Sequence, residues 1–107
     1  MEVRDIREGI SFSEEKMRKV SLFDSPRLFC DLYCLLPGQE QRVHAHEGSD
    51  KVYYVVEGTG RFTVGEEERD LSEGHAVVAR AGVPHGVRNA SRGALVLLVT
   101  MAPPPRH

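Results

Sequence analysis

Between about Lys16 and Met101 the chain is a succession of short runs rich in Val, Leu, Tyr and Phe, broken at intervals of roughly ten residues by turn-forming clusters. The breaks fall at Asp24-Ser25-Pro26, Pro37-Gly38, Glu47-Gly48-Ser49, Gly58-Thr59-Gly60, Gly65-Glu66, Ser72-Glu73-Gly74, Gly82-Val83-Pro84 and Ala90-Ser91-Arg92-Gly93. Each supplies the Gly, Pro or short polar side chains that tight turns demand. No sustained 3.6-residue period is present, so the pattern predicts an all-β sandwich or barrel, for which one small antiparallel β-barrel is the default at this length. A short helix is predicted over Ser13 to Lys19, because Ser13 can cap it and Glu14 and Glu15 fill its first turn. The proline-rich residues 102–107 read as a tail that ends the barrel.

Two runs are apolar on both faces. Arg27 to Leu36 interleaves Leu28, Cys30, Leu32, Cys34 and Leu36 with Phe29, Tyr33 and Leu35, and Ala94 to Val99 has no polar position. One face fills the barrel, so the other needs a cover too. A homodimer packing sheet on sheet is the expected cover, with the N-terminal segment as the alternative.

At 107 residues the chain fits a single domain, since two cores would each be marginal. Fourteen basic against 16 acidic residues give a net charge of −2 without a Lys/Arg cluster, which argues against nucleic acid and anionic membrane and leaves small molecules as partners. The run Ala94 to Val99 is too short to span a bilayer, and Glu2, Arg4, Asp5 and Arg7 do not make a secretory leader, so a cytoplasmic location is expected. Cys30 and Cys34 lie about 13 Å apart on one strand, beyond disulfide reach, and read as reduced core residues.

The chemistry concentrates in histidines. His44 and His46 stand two apart in an apparent strand, which turns both imidazoles, and Arg42 with them, to one side. His85 follows the turn Ala81-Gly82-Val83-Pro84 and shares a strand face with Val83, Val87 and Asn89. Three neutral imidazoles meeting on one side could hold Zn, Fe, Mn, Ni or Co with positions left open for a ligand. Paired histidines also occur on ordinary strands; the residues around these ones are what single them out.

From Gly38, five residues lead to His44, then His46, then four more to Lys51 and six more to Gly58; this resembles the first cupin motif, G-x5-H-x-H-x4-E-x6-G. From Gly74, five residues lead to Arg80, then Gly82, His85 and Asn89; this resembles the second, G-x5-P-x-G-x2-H-x3-N, with Arg80 where proline is usual. The two stretches, about 38–58 and 74–89, lie within one domain over residues 1–107. The resemblance to the cupin superfamily implies a jelly-roll barrel with a divalent transition metal held inside by the motif histidines, here His44, His46 and His85, and by a glutamate. Lys51 occupies the glutamate position, and an ammonium there repels a divalent ion.

Three readings follow. The metal is held by three histidines alone and Lys51 turns aside or grips an anionic substrate; or Asp50 or Glu47 supplies an oxygen ligand, which for Asp50 needs a bulge; or no metal binds, and Lys51 joins the histidines in an organic-ligand or acid/base site. In a desolvated pocket Lys51 becomes a base or amine nucleophile. Tyr53, two residues on, shares its inward face and either meets a ligand or fills the barrel, so Lys51 and Tyr53 are the catalytic candidates. Arg42, Lys51 and Tyr53 are the substrate-binding candidates, Arg42 by pairing with a carboxylate or phosphate. His75 and His107 are left outside the site, and Asn89 is assigned to a turn. The expected function is a metal-dependent cupin of oxygenase or isomerase type acting on or binding a small anionic organic molecule. The alternative is a non-catalytic small-molecule-binding or sensor module.

Overall fold

The structure, a computed structural model, describes residues 1–105. Among them are helix α1 (Ile6–Gly9) and strands β1 (Arg18–Asp24), β2 (Phe29–Leu35), β3 (Glu40–His44), β4 (Asp50–Glu57), β5 (Thr59–Val64), β6 (Glu67–Ser72), β7 (Ala76–Ala79), β8 (His85–Arg88) and β9 (Leu95–Ala102). They form a five-stranded sheet in the order β1-β2-β9-β4-β7 and a four-stranded sheet in the order β3-β8-β5-β6, with every pairing antiparallel. The two sheets enclose Tyr33, Leu35, Tyr53, Val55, Phe62, Val87, Leu95, Leu97 and Val99. Period-2 alternation explains the choice: on β4, Lys51, Tyr53 and Val55 point inward and are buried, while Tyr54 between them is exposed. No helix among the described residues is long and apolar enough to cross a membrane.

The runs that are apolar on both faces find their cover within the chain. Leu32, Cys34 and Val96 form a second, outward-facing cluster, and Ile6, Ile10 and Phe12 of the N-terminal segment pack on it beside Val20, Leu22, Val56 and Leu98. That packing removes the reason for which sheet-on-sheet dimerisation was expected. Cys34 is buried in this cluster and Cys30 half-buried, both as free thiols.

The helix predicted over Ser13 to Lys19 does not form. The one helix among the described residues is α1, where the Asp5 carboxylate accepts from the Arg7 backbone N–H at 3.1 Å. Ser13 does accept from Glu15 N–H (3.3 Å), but the chain then enters β1, pairing Arg18 with Cys34 and Lys19 with Tyr33. A seven-residue helix is too short to persist without a packed face, and the edge of β2 takes up the backbone hydrogen bonds instead. The tail does more than end the barrel: Pro103 carbonyl accepts from Ser49 Oγ at 2.6 Å, and Pro105 lines the cavity described below.

Candidate functional site

Sheet register brings the histidines together. In the β3–β8 ladder His44 lies directly opposite His85, so their side chains emerge side by side. The register slips between Gln41 and His44, and the slip turns Gln41 and His44, three apart, both inward while Arg42 and Val43 face solvent. Gly86 on β8 makes the slip possible: a Cβ there would stand 2.8 Å from the Gln41 carbonyl and 2.9 Å from Val43 N. His46 lies beyond β3, in the turn before β4, and its carbonyl accepts from Gly82 N–H at 2.9 Å, which ties it to the turn that delivers His85.

The ring centroid of His44 lies 4.7 Å from that of His46 and 4.6 Å from that of His85, and the potential ligand atoms of all three fall within 4.8 Å of one another. His44 Nδ1 donates to the Arg42 carbonyl (2.7 Å) and His85 Nδ1 to the Val83 carbonyl (3.0 Å). Both rings therefore carry their proton on Nδ1 and present Nε2 as a lone pair, which is how backbone carbonyls orient histidines toward a metal. His85 Nε2 is buried and meets no hydrogen-bond partner among the described residues. Leaving such an acceptor unsatisfied costs about 1–3 kcal/mol, and a divalent ion satisfies it. Burial, and after it the charges of Lys51, His44 and His46, push the His85 pKa down despite the Val83 carbonyl, keeping the ring neutral as a ligand must be. The cluster fits a divalent transition ion.

Lys51 is 1% exposed and points into the barrel. Its Nζ donates to Gln41 Oε1 at 3.1 Å and lies 5.2 Å from the ring centroid of Tyr33 and 4.8 Å from that of Tyr53. Tyr53 Oη donates to the same Gln41 Oε1 at 2.6 Å, while Gln41 Nε2 donates to Tyr33 Oη at 3.4 Å. One buried glutamine thus joins the lysine and both phenols. Burial, reinforced by the Lys19 ammonium and opposed by Asp31, lowers the Lys51 pKa to about 7. Burial raises both phenols, Tyr33 to about 12 and Tyr53 further still.

The remaining sequence candidates fall in different places. Arg42 does not share the inward face of His44, because of the β3 slip; it is exposed at the rim of a cavity of about 460 Å³, which His44, His46, Lys51, Gln41, Tyr33 and Asp31 also line. Tyr53 is fully buried behind this lining. Asp50 Oδ1 accepts from Ala81 N–H at 2.9 Å and so secures the 80–83 turn, the Glu47 carboxylate lies near Gly82, and neither joins the histidine cluster. Asp50 sits in regular pairing with Ala102, without the bulge a ligand role required. Asn89 holds a turn, donating to Leu35 and Gly93 carbonyls at 2.9 and 2.8 Å. His75 is exposed in a turn, its Nδ1 donating to the Ser72 carbonyl, and His107 lies outside the described residues.

Gln41, Asp31, Tyr33 and Lys19 line the cavity and are site residues that the sequence reading missed. Asp31 had a signal, as the one charge inside the apolar run of β2. Gln41 had none, because strict alternation from His44 sends it to the wrong face.

Comparison with known proteins gives a consistent picture. The Cupin_2 family, described as a cupin domain, matches residues 31–101. A crystal structure of TT1209 from Thermus thermophilus superposes with a TM-score of 0.95 at 53% identity, covering 98% of this chain and 100% of that one. An uncharacterized protein of Methanocaldococcus jannaschii is 29% identical over 70 residues, 65% of this chain, which spans only 56% of that relative's length. The oxalate-binding protein of Thermotoga maritima is 26% identical over 85 residues, 79% of this chain and 69% of that one. With two-thirds of its length matched by the domain and an antiparallel two-sheet barrel, the chain belongs to the cupin family.

Proposed function

We propose that this protein binds a divalent transition metal through His44, His46 and His85 alone, and that in this state it binds and transforms a small anionic organic molecule. The observation that carries the reading is the buried Nε2 of His85, without a hydrogen-bond partner among the described residues, in a cluster where backbone carbonyls already orient His44 and His85. A bound ion of this kind supplies Lewis acidity or oxygen activation at its open positions. The chain's own residues do the rest. Lys51 holds the anionic group of the ligand, Gln41 holds Lys51, and the Tyr33 and Tyr53 rings exclude water from behind it. With a pKa near 7, Lys51 can give or take a proton at neutral pH, whereas Tyr53, its hydroxyl committed to Gln41 and its pKa raised, supports the lysine from behind. The relative named for oxalate binding is consistent with an anionic ligand.

A binding or sensor module is the second reading, favoured by the scarcity of proton-transfer groups: the phenols and Gln41 are tied to one another, which leaves Lys51 and Asp31 as the acid/base groups of the cavity beside the histidines. A cytoplasmic setting suits the two free thiols. A second copy of the chain would pack where Tyr54 and Val78 are exposed on the outer face of β4 and β7.

Metal analysis of protein purified without a histidine tag tests the metal reading. A transition metal at about one per chain, lost in His85→Ala, is expected. Absence of metal together with no rise in melting temperature on adding Zn, Fe, Mn, Ni or Co contradicts it, since a ligand that binds only the native state must stabilise that state. Turnover of a small organic acid by the metal-loaded parent that disappears in His85→Ala supports the enzyme, whereas binding without turnover favours the module.

A further inference from the structure

The cavity beside the histidines carries an excess of positive charge that Asp31 only partly offsets among the described residues. Among the described residues, three cationic side chains, Lys19, Arg42 and Lys51, line it against the single carboxylate of Asp31, on a chain whose net charge is −2. Lys51 is the telling one. It is buried, its hydrogen bond goes to a neutral amide oxygen already accepting from Tyr53, and no ion pair among the described residues includes it. The Tyr33 and Tyr53 faces attract the ammonium, but aromatic faces return less than the water it has given up. Lys19 Nζ adds a second ammonium 5.2 Å from the same Tyr33 ring. Two cations at one ring, with one carboxylate nearby, present a preformed anion subsite.

Shape adds a second constraint. A cavity of about 460 Å³ is much larger than a two-carbon diacid needs, and Phe29, Met101 and Pro105 give it an apolar wall. We infer that Lys51, assisted by Lys19 and Arg42, is the carboxylate-binding subsite for an organic acid that has an apolar body and a second oxygen donor directed at the histidines. This deepens the proposed function: it rests on the metal site for the second oxygen and on the hold of Lys51 on an anionic group for the carboxylate, and the two ends are scored separately. Lys51 then acts as the residue that determines specificity, selecting charge at one end of the ligand, while the wall selects length.

Calorimetric titration with 2-oxooctanoate, its methyl ester and oxalate, on zinc-loaded and on metal-free protein, tests the inference. The acid is expected to bind the parent at least about tenfold tighter than the ester in both states, as charge-assisted recognition requires. The acid is also expected to bind more tightly than oxalate, because of the apolar wall. In Lys51→Met the acid and ester should converge to within about twofold with zinc affinity no weaker than the parent's, and Lys19→Met, at an exposed position that leaves folding intact, should lose about threefold of the preference. Equal binding of acid and ester by the parent, binding of neither, or a preference that survives in both variants overturns the inference. Oxalate binding as tightly as the longer acid overturns the apolar body. Failure of the parent to bind zinc counts against the metal site alone, because the metal-free titration still scores the subsite.

Discussion

The interior of the barrel has two halves that are equally buried and chemically opposite. Around Val55, Phe62, Leu95 and Leu97 it is hydrocarbon; around Lys51, Gln41 and His85 it is a chain of polar groups, with Lys51 at 1% and Val55 at 0% exposure. Burial in the first half is favourable at about 25 cal/mol per Å², whereas in the second it strips water from an ammonium and an imidazole. The same strand, β4, serves both, with Lys51 and Val55 four residues apart on one inward row. Stability thus comes from one half, and the other half retains polar groups that the fold alone gives no reason to keep. That division is the physical case for a functional site.

Substitutions should separate the halves, and the largest effect belongs to the hydrocarbon half. Leu97→Ala removes a fully buried side chain and should lower the unfolding free energy by about 2–5 kcal/mol in urea denaturation, with zinc affinity unchanged. Next comes Gly86→Ala, whose Cβ would press within 3.0 Å of the β3 backbone. It should cost about 1–3 kcal/mol and also weaken zinc binding, because the same contact fixes the Gln41–His44 slip. An equal stability loss without any change in metal affinity would show that the slip does not position His44.

In the polar half the sign should reverse. Lys51→Met keeps most of the side-chain length and removes a desolvated charge, so it should raise stability by about 1–3 kcal/mol at pH 6. A loss of stability instead would mean that the Gln41 and aromatic contacts outweigh the desolvation. The pH profile of the metal-free parent sharpens the point. Unfolded, Lys51 keeps its proton to its ordinary value of 10.5, while folded it releases it near 7. Between those values the unfolded state binds more protons, so stability should rise with pH, and the lowered His85 pKa adds a rise on the acid side. From about 9 upward the raised Cys30, Cys34 and Tyr33 pKa values oppose and then reverse the slope, since the unfolded thiols and phenol lose their protons first. Lys51→Met should lack the rise between pH 7 and 10; a rise of the same size in the variant would assign it to another group.

The fold was legible in the sequence because strand alternation and Gly/Pro turn signals are local, and the histidines were legible because the two motif spacings survive intact. What escaped depends on contacts between distant parts of the chain. Asp5 caps a helix four residues long, and the stretch after Ser13 becomes strand only because β2 offers an edge to Lys19 and Val20. The outer cover by Ile6, Ile10 and Phe12 was legible as the alternative to a dimer, and only the packing of the N-terminal segment on the sheet decides between the two. Gln41 was invisible because a single-residue slip inverts every facing assignment upstream of it, and the same slip moved Arg42 outward. Lys51 was legible as a departure from the motif, but its deep burial and its link through Gln41 to both tyrosines are tertiary facts.

The central claim, that the polar half is organised around a metal held by three histidines, is tested most directly by calorimetric zinc titration of the untagged, chelator-treated protein beside His85→Ala. One zinc per chain in the parent, with affinity reduced at least about a hundredfold in the variant, is the result predicted for the loss of one of three ligands. Absence of zinc binding in the parent, or equal affinity in both proteins, would contradict it.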